Sequence, residues 1–541
     1  MMRALSTALL AALAVGASAQ TVETGTGPVS LFPEGARSDV FVLDAQDGVL
    51  RAGPLLIEIA PNGTVSVPSR DNPVFDPPTT LDARAYTIEA RGDVVAVGLG
   101  FKDTTADAER PPDTAAGYAI STDGGRSYTY RFAALDQSRD STVTYGISTL
   151  PAFPATISQG AAPLDLALSP GADTLYSATL YAGLRRSTND GATWERVVLP
   201  PDSLFVLDPR ESYDFLYNPD VRQPIAFIDG NPDLPVFAEF SENFVSLSVL
   251  VDEAGTVWAG TNGGLNRSVR VPGATDFAWL RYTDALIGGA LPGNQVIALE
   301  TRPIAGGRDE VWAVCRVSSN PFTAAEEEPG IAVWRGDDAD GRAIFETVLV
   351  GVVASDLAFD DARVYAATSD GLHVSEDDGK TWRVVRTFRR PDGTPLPLAS
   401  AGVAAVATTP GTVWVGTASG LLKSTDGART WELFRADVRP GAPGDGSRTV
   451  DVYAYPNPFN PRNGDLRVRL DLDAGSDVTV RVFDQAMNLV RTLDAPGRPP
   501  GPNEVFWDGQ TDGGLRVANG AYIYTVEAAG ERYSGRILVI Q

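Results

Sequence analysis

The sequence predicts an all-β protein, a seven-bladed β-propeller with a C-terminal β-sandwich. Three observations predict it. One phrase of extended runs and tight turns recurs along most of the chain, the mark of a repeat architecture. Hydrophobic residues make up 43% and there are 54 Gly and 39 Pro, a composition suited to short strands joined by many turns. Beyond the repeats, Val452 to Val539 alternates apolar and polar residues, as half-buried strands do.

The fullest copy of the phrase is Val413-Trp414-Val415-Gly416-Thr417, then Gly420-Leu421, then Ser424-Thr425-Asp426-Gly427-Ala428-Arg429-Thr430-Trp431. It reads as strand, turn, strand, tight turn and a further strand. Val413 to Thr417 is apolar and β-prone, and Ser419-Gly420 breaks it. In the second turn, Ser and Asp can accept bonds from exposed N–H groups, and Gly takes a positive φ cheaply. Trp431 can then cover the hairpin. Val364 to Thr368 leads likewise to Gly371-Leu372 and to Ser375 through Trp382; Leu175 to Thr179 leads to Gly183-Leu184 and to Ser187 through Trp194. Ser121 through Tyr128 is a fourth closing half, and Val257 to Thr261 with Gly264-Leu265 is an opening half alone.

The closing halves resemble the Asp-box, S-x-D-x-G-x-T-W, of sialidase, sortilin and photosystem II assembly-factor propellers. The opening halves resemble the propeller repeats of two-component regulators. The resemblance covers roughly residues 30 to 440. It implies structural hairpins built on Ser121, Asp123 and Gly125; on Ser187, Asn189, Gly191 and Trp194; on Ser375, Asp377, Gly379 and Trp382; and on Ser424, Asp426 and Trp431. Asn189 stands for Asp, Ser127 and Tyr128 for Thr and Trp, and Ala428 for Gly. Asp-boxes occur in proteins of many activities, so they speak for the fold and not for a function.

A glycine read at the head of each third strand sets the register: Gly48, Gly117, Gly183, Gly264, Gly330, Gly371 and Gly420. The steps, by subtraction, are 69, 66, 81, 66, 41 and 49 residues, and the shortest suit one four-stranded blade. Seven units follow; the weakly marked first one leaves six or eight as alternatives. Innermost strands, A, are expected at Leu164–Leu168, Val245–Val249, Val296–Leu299 and Val403–Val406, with B, C and D supplied by the phrase. Excess length falls between B and C (about 101–116 and 316–329) and between D and the next A (about 132–163 and 200–243). These two connections emerge on one rim of an up-and-down blade. Elaborated loops on one face mark a binding side, or else merely cover the channel or a neighbour. Candidate ligand-binding residues on that rim are Lys102, Arg110, Tyr213, Tyr217 and Phe322, with Asp103 and Asp214 beside them. Shortening 205–240 or 316–329 is expected to abolish binding and leave melting nearly unchanged.

The 69 acidic and 44 basic residues give a net charge of −25, which opposes binding to nucleic-acid phosphates and to anionic membranes. Cys315 is the single cysteine and His373 the single histidine. No intrachain disulfide, cysteine-held metal or multi-histidine site is therefore expected, and His373 reads as an ordinary strand residue. Residues 1–19 read as a secretion signal: Arg3, an apolar core from Ala4 to Val15, and Ala17-Ser18-Ala19 for cleavage before Gln20. The expected organisation is signal 1–19, propeller 20–436, a Pro/Gly-rich linker 437–449 and a sandwich 450–541, with no transmembrane segment.

The last segment resembles the immunoglobulin-like domain shared by the flagellar hook-capping protein and type IX secretion sorting domains. The resemblance rests on Tyr455-Pro456-Asn457-Pro458-Phe459-Asn460-Pro461, on Trp507-Asp508-Gly509-Gln510-Thr511-Asp512-Gly513-Gly514, and on Gly520-Ala521-Tyr522-Ile523-Tyr524. It implies the type IX machinery as a partner and an extracellular or outer-membrane-surface location. Arg536 stands where sorting domains often carry Lys, and a plain structural Ig-like module is the alternative.

No catalytic set is recognisable. The F/Y-R-I-P motif of sialidases is missing, since Phe32-Pro33 lacks the Arg. A glycosidase needs two carboxylates at set separations, which sequence cannot pick from so many. Asp337-Asp338-Ala339-Asp340-Gly341 resembles part of a calcium loop, but Gly336 holds its first ligand position, so a solvated C–D turn is expected. Glu326-Glu327-Glu328 reads as a solvated loop tip, and the aromatics at 176, 258, 312, 365 and 414 read as core. The expectation is a surface or secreted propeller that binds a protein or glycan without cofactor or metal. The alternative is a glycoside hydrolase of sialidase-like architecture.

Overall fold

In a computed structural model the chain is all-β. The structure describes residues 20–540, except 30–39, 67–82, 103–111, 220–240, 285–289, 319–326, 438–451 and shorter stretches of one to three residues. The expected signal and nearly all of the expected linker thus lie outside the described residues. The chain divides into two compact units, one holding Val40–Leu396 and Ala401–Leu433 and the other Phe434–Gln541 with short stretches from elsewhere.

The larger unit is a propeller. Among the described residues, seven sheets follow one another along it, each built on a four-stranded antiparallel meander. Their innermost strands are Val42–Gln46, Arg84–Arg91, Pro163–Leu168, Ser246–Val251, Gln295–Ile304, Ala354–Phe359 and Ala405–Thr409. These strands touch in cyclic order, and the seventh returns to the first. The fourth sheet gains an outer strand, Val206–Leu207.

The second strands carry the aromatic residues of the repeat inward. Tyr176, Trp258, Trp312, Tyr365 and Trp414 are all buried, in the layers between neighbouring sheets. Trp258 packs with Leu265, Val296, Val311 and Trp334, and Trp312 packs with Val333, Leu357 and Val364. The register glycines have a steric cause. At Gly371, φ is +144° and a Cβ would lie 2.5 Å from the Val385 carbonyl oxygen on the outer strand.

The first sheet departs from the expected register. Gly48 lies in the hairpin between its first and second strands, Val42–Gln46 and Val49–Gly53, not at the head of a third. Asp47 and Gly48, with φ of 53° and 76°, make a two-residue turn, and the same chemistry suits either junction of a blade. In the second sheet, both ends of the expected B–C excess are strand: Val94–Lys102 pairs with Asp113–Ser121, and a bulge lies beside Gly117.

The smaller unit is a two-sheet sandwich. One sheet holds Val452–Tyr455, Leu466–Leu472 and Gly501–Trp507; the other is ordered Leu489–Arg498, Ser476–Phe483, Gly520–Ala528, Glu531–Val539. Phe459, Val468, Val480, Trp507, Val526 and Ile537 lie in its core. The tryptophan of the Trp507-Asp508-Gly509 motif is fully buried, and its indole N–H donates to the Gln510 carbonyl at 2.8 Å.

Candidate ligand-binding rim

The two rims differ in how their polar groups are engaged. On one, the repeated turn forms the same bonds four times. The Ser375 hydroxyl donates to Asp377 at 2.9 Å and accepts from the Gly379 N–H at 2.9 Å. Asp377 in turn accepts from the Thr381 N–H at 2.8 Å and its hydroxyl at 2.6 Å. Ser121 with Asp123, and Ser424 with Asp426, repeat the pattern. In the Ser187 turn, Asn189 accepts from the Thr193 N–H and donates to the Thr193 hydroxyl. Bonds from the Ser127 hydroxyl and N–H hold the Asp123 carboxyl down at about 2. Two successive residues take positive φ in each turn, and Ala428 does so at 64° where the others have Gly.

The turns also hold neighbouring sheets. Arg131 donates to the Asp190 carbonyl at 2.8 Å, and Arg302 pairs with Asp378 at 2.7 Å. Trp431 is buried against Phe388 at 5.1 Å, while Trp194 and Trp382 are half-buried. The Trp382 indole N–H donates to the Gly379 carbonyl of its own turn at 2.8 Å.

On the opposite rim the long connections are partly ordered into the body. Thr142–Tyr145 and Ser148–Pro151 form a hairpin, and Tyr145, Leu150, Leu207 and Tyr217 join Phe244 and Trp279 in one apolar cluster. Asp136 is gripped by Arg185 at 2.6 Å and by Arg196 at 2.9 Å. Burial works to raise its carboxyl, but these two arginines outweigh burial and hold it at about 2.

A cleft of about 180 Å³ opens on this rim at the junction of the fourth and fifth sheets. Four connections build it. Asp202, Phe205 and Glu242 come from the connection entering the fourth sheet; Asn262-Gly263 is that sheet's B–C turn. Thr283, Asp284 and Asn294 come from the connection leaving it, and Ser318 from the B–C connection of the fifth. Asp202 is committed to structure: it accepts the N–H groups of Glu242 at 2.8 Å and Asn243 at 3.1 Å, at the start of the short 3-10 helix Glu242–Phe244. Arg281 braces it, donating to the Gly263 carbonyl at 2.7 Å and lying 3.1 Å from the Asp202 carboxylate. Burial, aided by the Asp202 charge, pushes the Glu242 carboxyl up to about 7, and Asn262 donates to it. Asp284 accepts from the Asn294 amide at 2.6 Å. The Thr283 side chain is buried, and its hydroxyl has no hydrogen-bond partner among the described residues.

The residues singled out from sequence scatter. Lys102 pairs with Asp113 at 2.6 Å on the second sheet, away from the cleft. Tyr217 is 1% exposed in the apolar cluster, and the Tyr213 hydroxyl accepts the Asp208 N–H at 2.9 Å. Neither tyrosine is presented as a free contact, because the connection that carries them folds back onto the third and fourth sheets. Asp214 is exposed; Asp103, Arg110 and Phe322 lie outside the described residues.

Glu327 corrects the expectation of a solvated tip. It is buried and accepts from the Ser318 N–H at 2.6 Å, the Ser318 hydroxyl at 2.7 Å and the Asn294 amide at 2.8 Å. A carboxylate that satisfies several donors at a loop base is more stable there than in water. Glu328 beside it is exposed. Asp338 does lie in a C–D turn, accepting the N–H groups of Asp340 and Arg342 at 2.9 Å. His373 is a buried strand residue 3.1 Å from Asp370.

Among the described residues, no group of three or more His, Cys, Asp or Glu is placed to hold a metal ion, and no helix is long and apolar enough to cross a membrane.

Residues 460–531 match the model of the FlgD Ig-like domain, which assigns an Ig-like fold to the smaller unit. Comparison with curated protein sequences finds no match. Among solved structures, the chain is similar to PorZ, described as an essential bacterial surface component of the type-IX secretion system of Porphyromonas gingivalis. The identity is 14%, covering 96% of this chain and 73% of that one, with a TM-score of 0.29. YCF48 from Cyanidioschyzon merolae overlaps at 18% identity over 75% of this chain and 98% of that one, TM-score 0.39. A GH74 xyloglucanase from Xanthomonas campestris overlaps at 15% identity over 92% and 65%, TM-score 0.42. The propeller here rests on its own sheet order and ring of inner strands.

Proposed function

We propose that this is a secreted or cell-surface bacterial propeller of the Asp-box type, which binds a glycan or protein on the rim of long connections. Its Ig-like unit serves export through a type IX system. One observation carries the binding reading: the cleft gathers polar side chains from four connections on that rim, whereas the repeated turns opposite spend theirs on their own backbone. The export reading rests on the Ig-like match at 460–531 and on the signal pattern of residues 1–19.

The commitments of the carboxylates favour binding over hydrolysis. Both Asp202 oxygens accept backbone N–H groups and one faces Arg281, which leaves a poor nucleophile or base beside Glu242. Cys315 is buried, so an added surface cysteine can be labelled selectively. A bulky polymer attached at Val350→Cys, in the exposed D–A connection leaving the fifth sheet on the long-connection rim, is expected to block binding to a glycan array or to the host cell surface. The same polymer at Arg429→Cys, on the turn rim, should leave binding intact. Blocking only at Arg429 would overturn the reading, and a hydrolysis assay on the bound glycans tests the enzymatic alternative.

A further inference from the structure

We propose that the cleft between the fourth and fifth sheets seats one sugar ring of a glycan, an inference that rests on the rim-binding reading above and narrows it. The room fits: about 180 Å³ equals the volume of roughly six waters at about 30 Å³ each, enough for a single ring with its hydroxyls.

The chemistry of the walls fits better still. A sugar presents hydroxyls that both donate and accept, at several angles around one ring. Such a ligand needs acceptors and donors interleaved on the wall, with one apolar plate for its C–H face. Asp284 and Glu242 supply acceptors, the Arg281 guanidinium supplies N–H donors, the Asn262 and Asn294 amides hold these carboxylates in place, and Phe205 is the aromatic among the described lining residues. Phe205 is 45% exposed, and the Arg281 guanidinium lies 5.8 Å from the ring centroid. An exposed aromatic ring held beside carboxylates gains by covering C–H groups.

A second observation points independently to a ligand. Thr283 is 4% exposed and lines the cleft, yet its hydroxyl has no partner among the described residues. A buried hydroxyl without a partner is costly, and a ligand hydroxyl would relieve that cost. A protein ligand fits less well. Protein anchors are aromatic or aliphatic side chains seated in dry apolar pockets, and among the described residues no aliphatic side chain lines this cleft.

The test uses the full mature chain on a glycan array, with free glucose, galactose, mannose and N-acetylglucosamine as competitors. Array binding suppressed by at least one of these sugars is expected. Phe205→Ala and Asp284→Asn should each weaken it by about tenfold or more at unchanged melting temperature. Asn at 284 keeps an oxygen for the Asn294 amide, and if that variant nonetheless melts early, the half-exposed Phe205 decides. Thr283→Val, which keeps the shape, should weaken binding severalfold. Array binding that survives both Phe205→Ala and Asp284→Asn would overturn the inference and leave the rim reading standing. No array signal, with a protein retained on the rim blocked at Val350→Cys, would overturn the sugar and keep the rim. No array signal and no rim-dependent binding would overturn both.

Discussion

Asp165 on the inner strand of the third sheet accepts a hydrogen bond from the backbone N–H of Val249 in the fourth, at 2.9 Å. Asp356 does the same for Val406 at 2.9 Å, and Glu89 for Leu168 at 3.1 Å. Inner strands are sheet edges, with N–H groups that no strand pairs. A carboxylate from the preceding sheet satisfies such a group and ties sheet to sheet. Ser248 and Ser355 make the complementary contact, donating to carbonyls of Val296 and Ala404 in the next sheet.

These ties draw acidic side chains together around the axis of the ring, which sets a pH dependence. Burial pushes Asp44, Asp165 and Asp356 each up to about 7; for Asp44 it outweighs Arg51 at 3.7 Å. Glu300 is raised by burial and by the charges of Asp356, Glu89, Asp165 and Asp44. A carboxyl with a raised folded pKa binds its proton more tightly in the folded state. Its stabilising share is complete below its unfolded value near 4 and is lost as pH rises through about 7. The denaturant midpoint of the propeller should therefore fall between pH 5 and pH 8. Glu300→Gln should raise the midpoint at pH 8 and flatten that slope. A midpoint that climbs across this interval, or a variant with the wild-type slope, would refute the assignment.

The repeated turn makes a different prediction. Ser375 is buried and its hydroxyl satisfies the Gly379 N–H, so Ser375→Ala should cost about 1–3 kcal/mol. Gly379→Ala should also destabilise: φ is +85° and a Cβ would meet Trp312 at 3.1 Å. Thermal melts of both check this, and wild-type melting in the pair would mean that the turn bonds contribute nothing.

The three turn tryptophans should not be equivalent. Trp431→Ala, at a fully buried site, should cost about 3–5 kcal/mol, and Trp194→Ala and Trp382→Ala distinctly less. Equal losses at all three would contradict the burial order.

The sequence made the repeat legible because its signals are local. The Ser-x-Asp turns, the second-strand aromatics and most register glycines depend on residues a few positions apart, and the structure places them in one frame. What it hid was non-local. Glu327 and Ser318 meet across a loop, and Asp202 caps a helix forty residues on, at Glu242. Tyr217 looked like a spare loop aromatic until its connection packed against Phe244 at 5.1 Å. Shortening 205–240 therefore cannot spare stability as the loop reading expected, since Val206–Leu207 is an edge strand and Leu207 is core. In the sandwich, Leu489–Arg498 went unread because Pro496-Gly497 breaks its pattern.

Asp136 and Arg185, 7% and 1% exposed, tie the long connection to the third sheet. Removing one member of a buried pair strands the other's charge. Arg185→Met should destabilise by about 3 kcal/mol, short of the full penalty because Arg196 also holds Asp136 at 2.9 Å. The pair should weaken only in acid, as pH falls through about 4 towards the depressed Asp136 value of about 2. A variant that melts like the wild type at neutral pH would show that the connection is held by its apolar cluster alone.

The last prediction concerns the Ig-like unit. Its core is self-contained: Trp507 packs on Phe459 at 5.6 Å and on Tyr522 at 5.9 Å, within a cluster drawn wholly from residues 452–539. A unit with its own core can be removed without taking another core with it. Deleting residues 450–541 should therefore leave a propeller that melts cooperatively, as judged on purified protein. If the Ig-like unit is an export address, the truncated protein in its native host should accumulate inside the outer membrane, while the full chain reaches the surface or the medium. Fractionation with protease shaving separates the outcomes. Normal surface display of a folded, truncated propeller would remove the export role and leave the unit as a structural module.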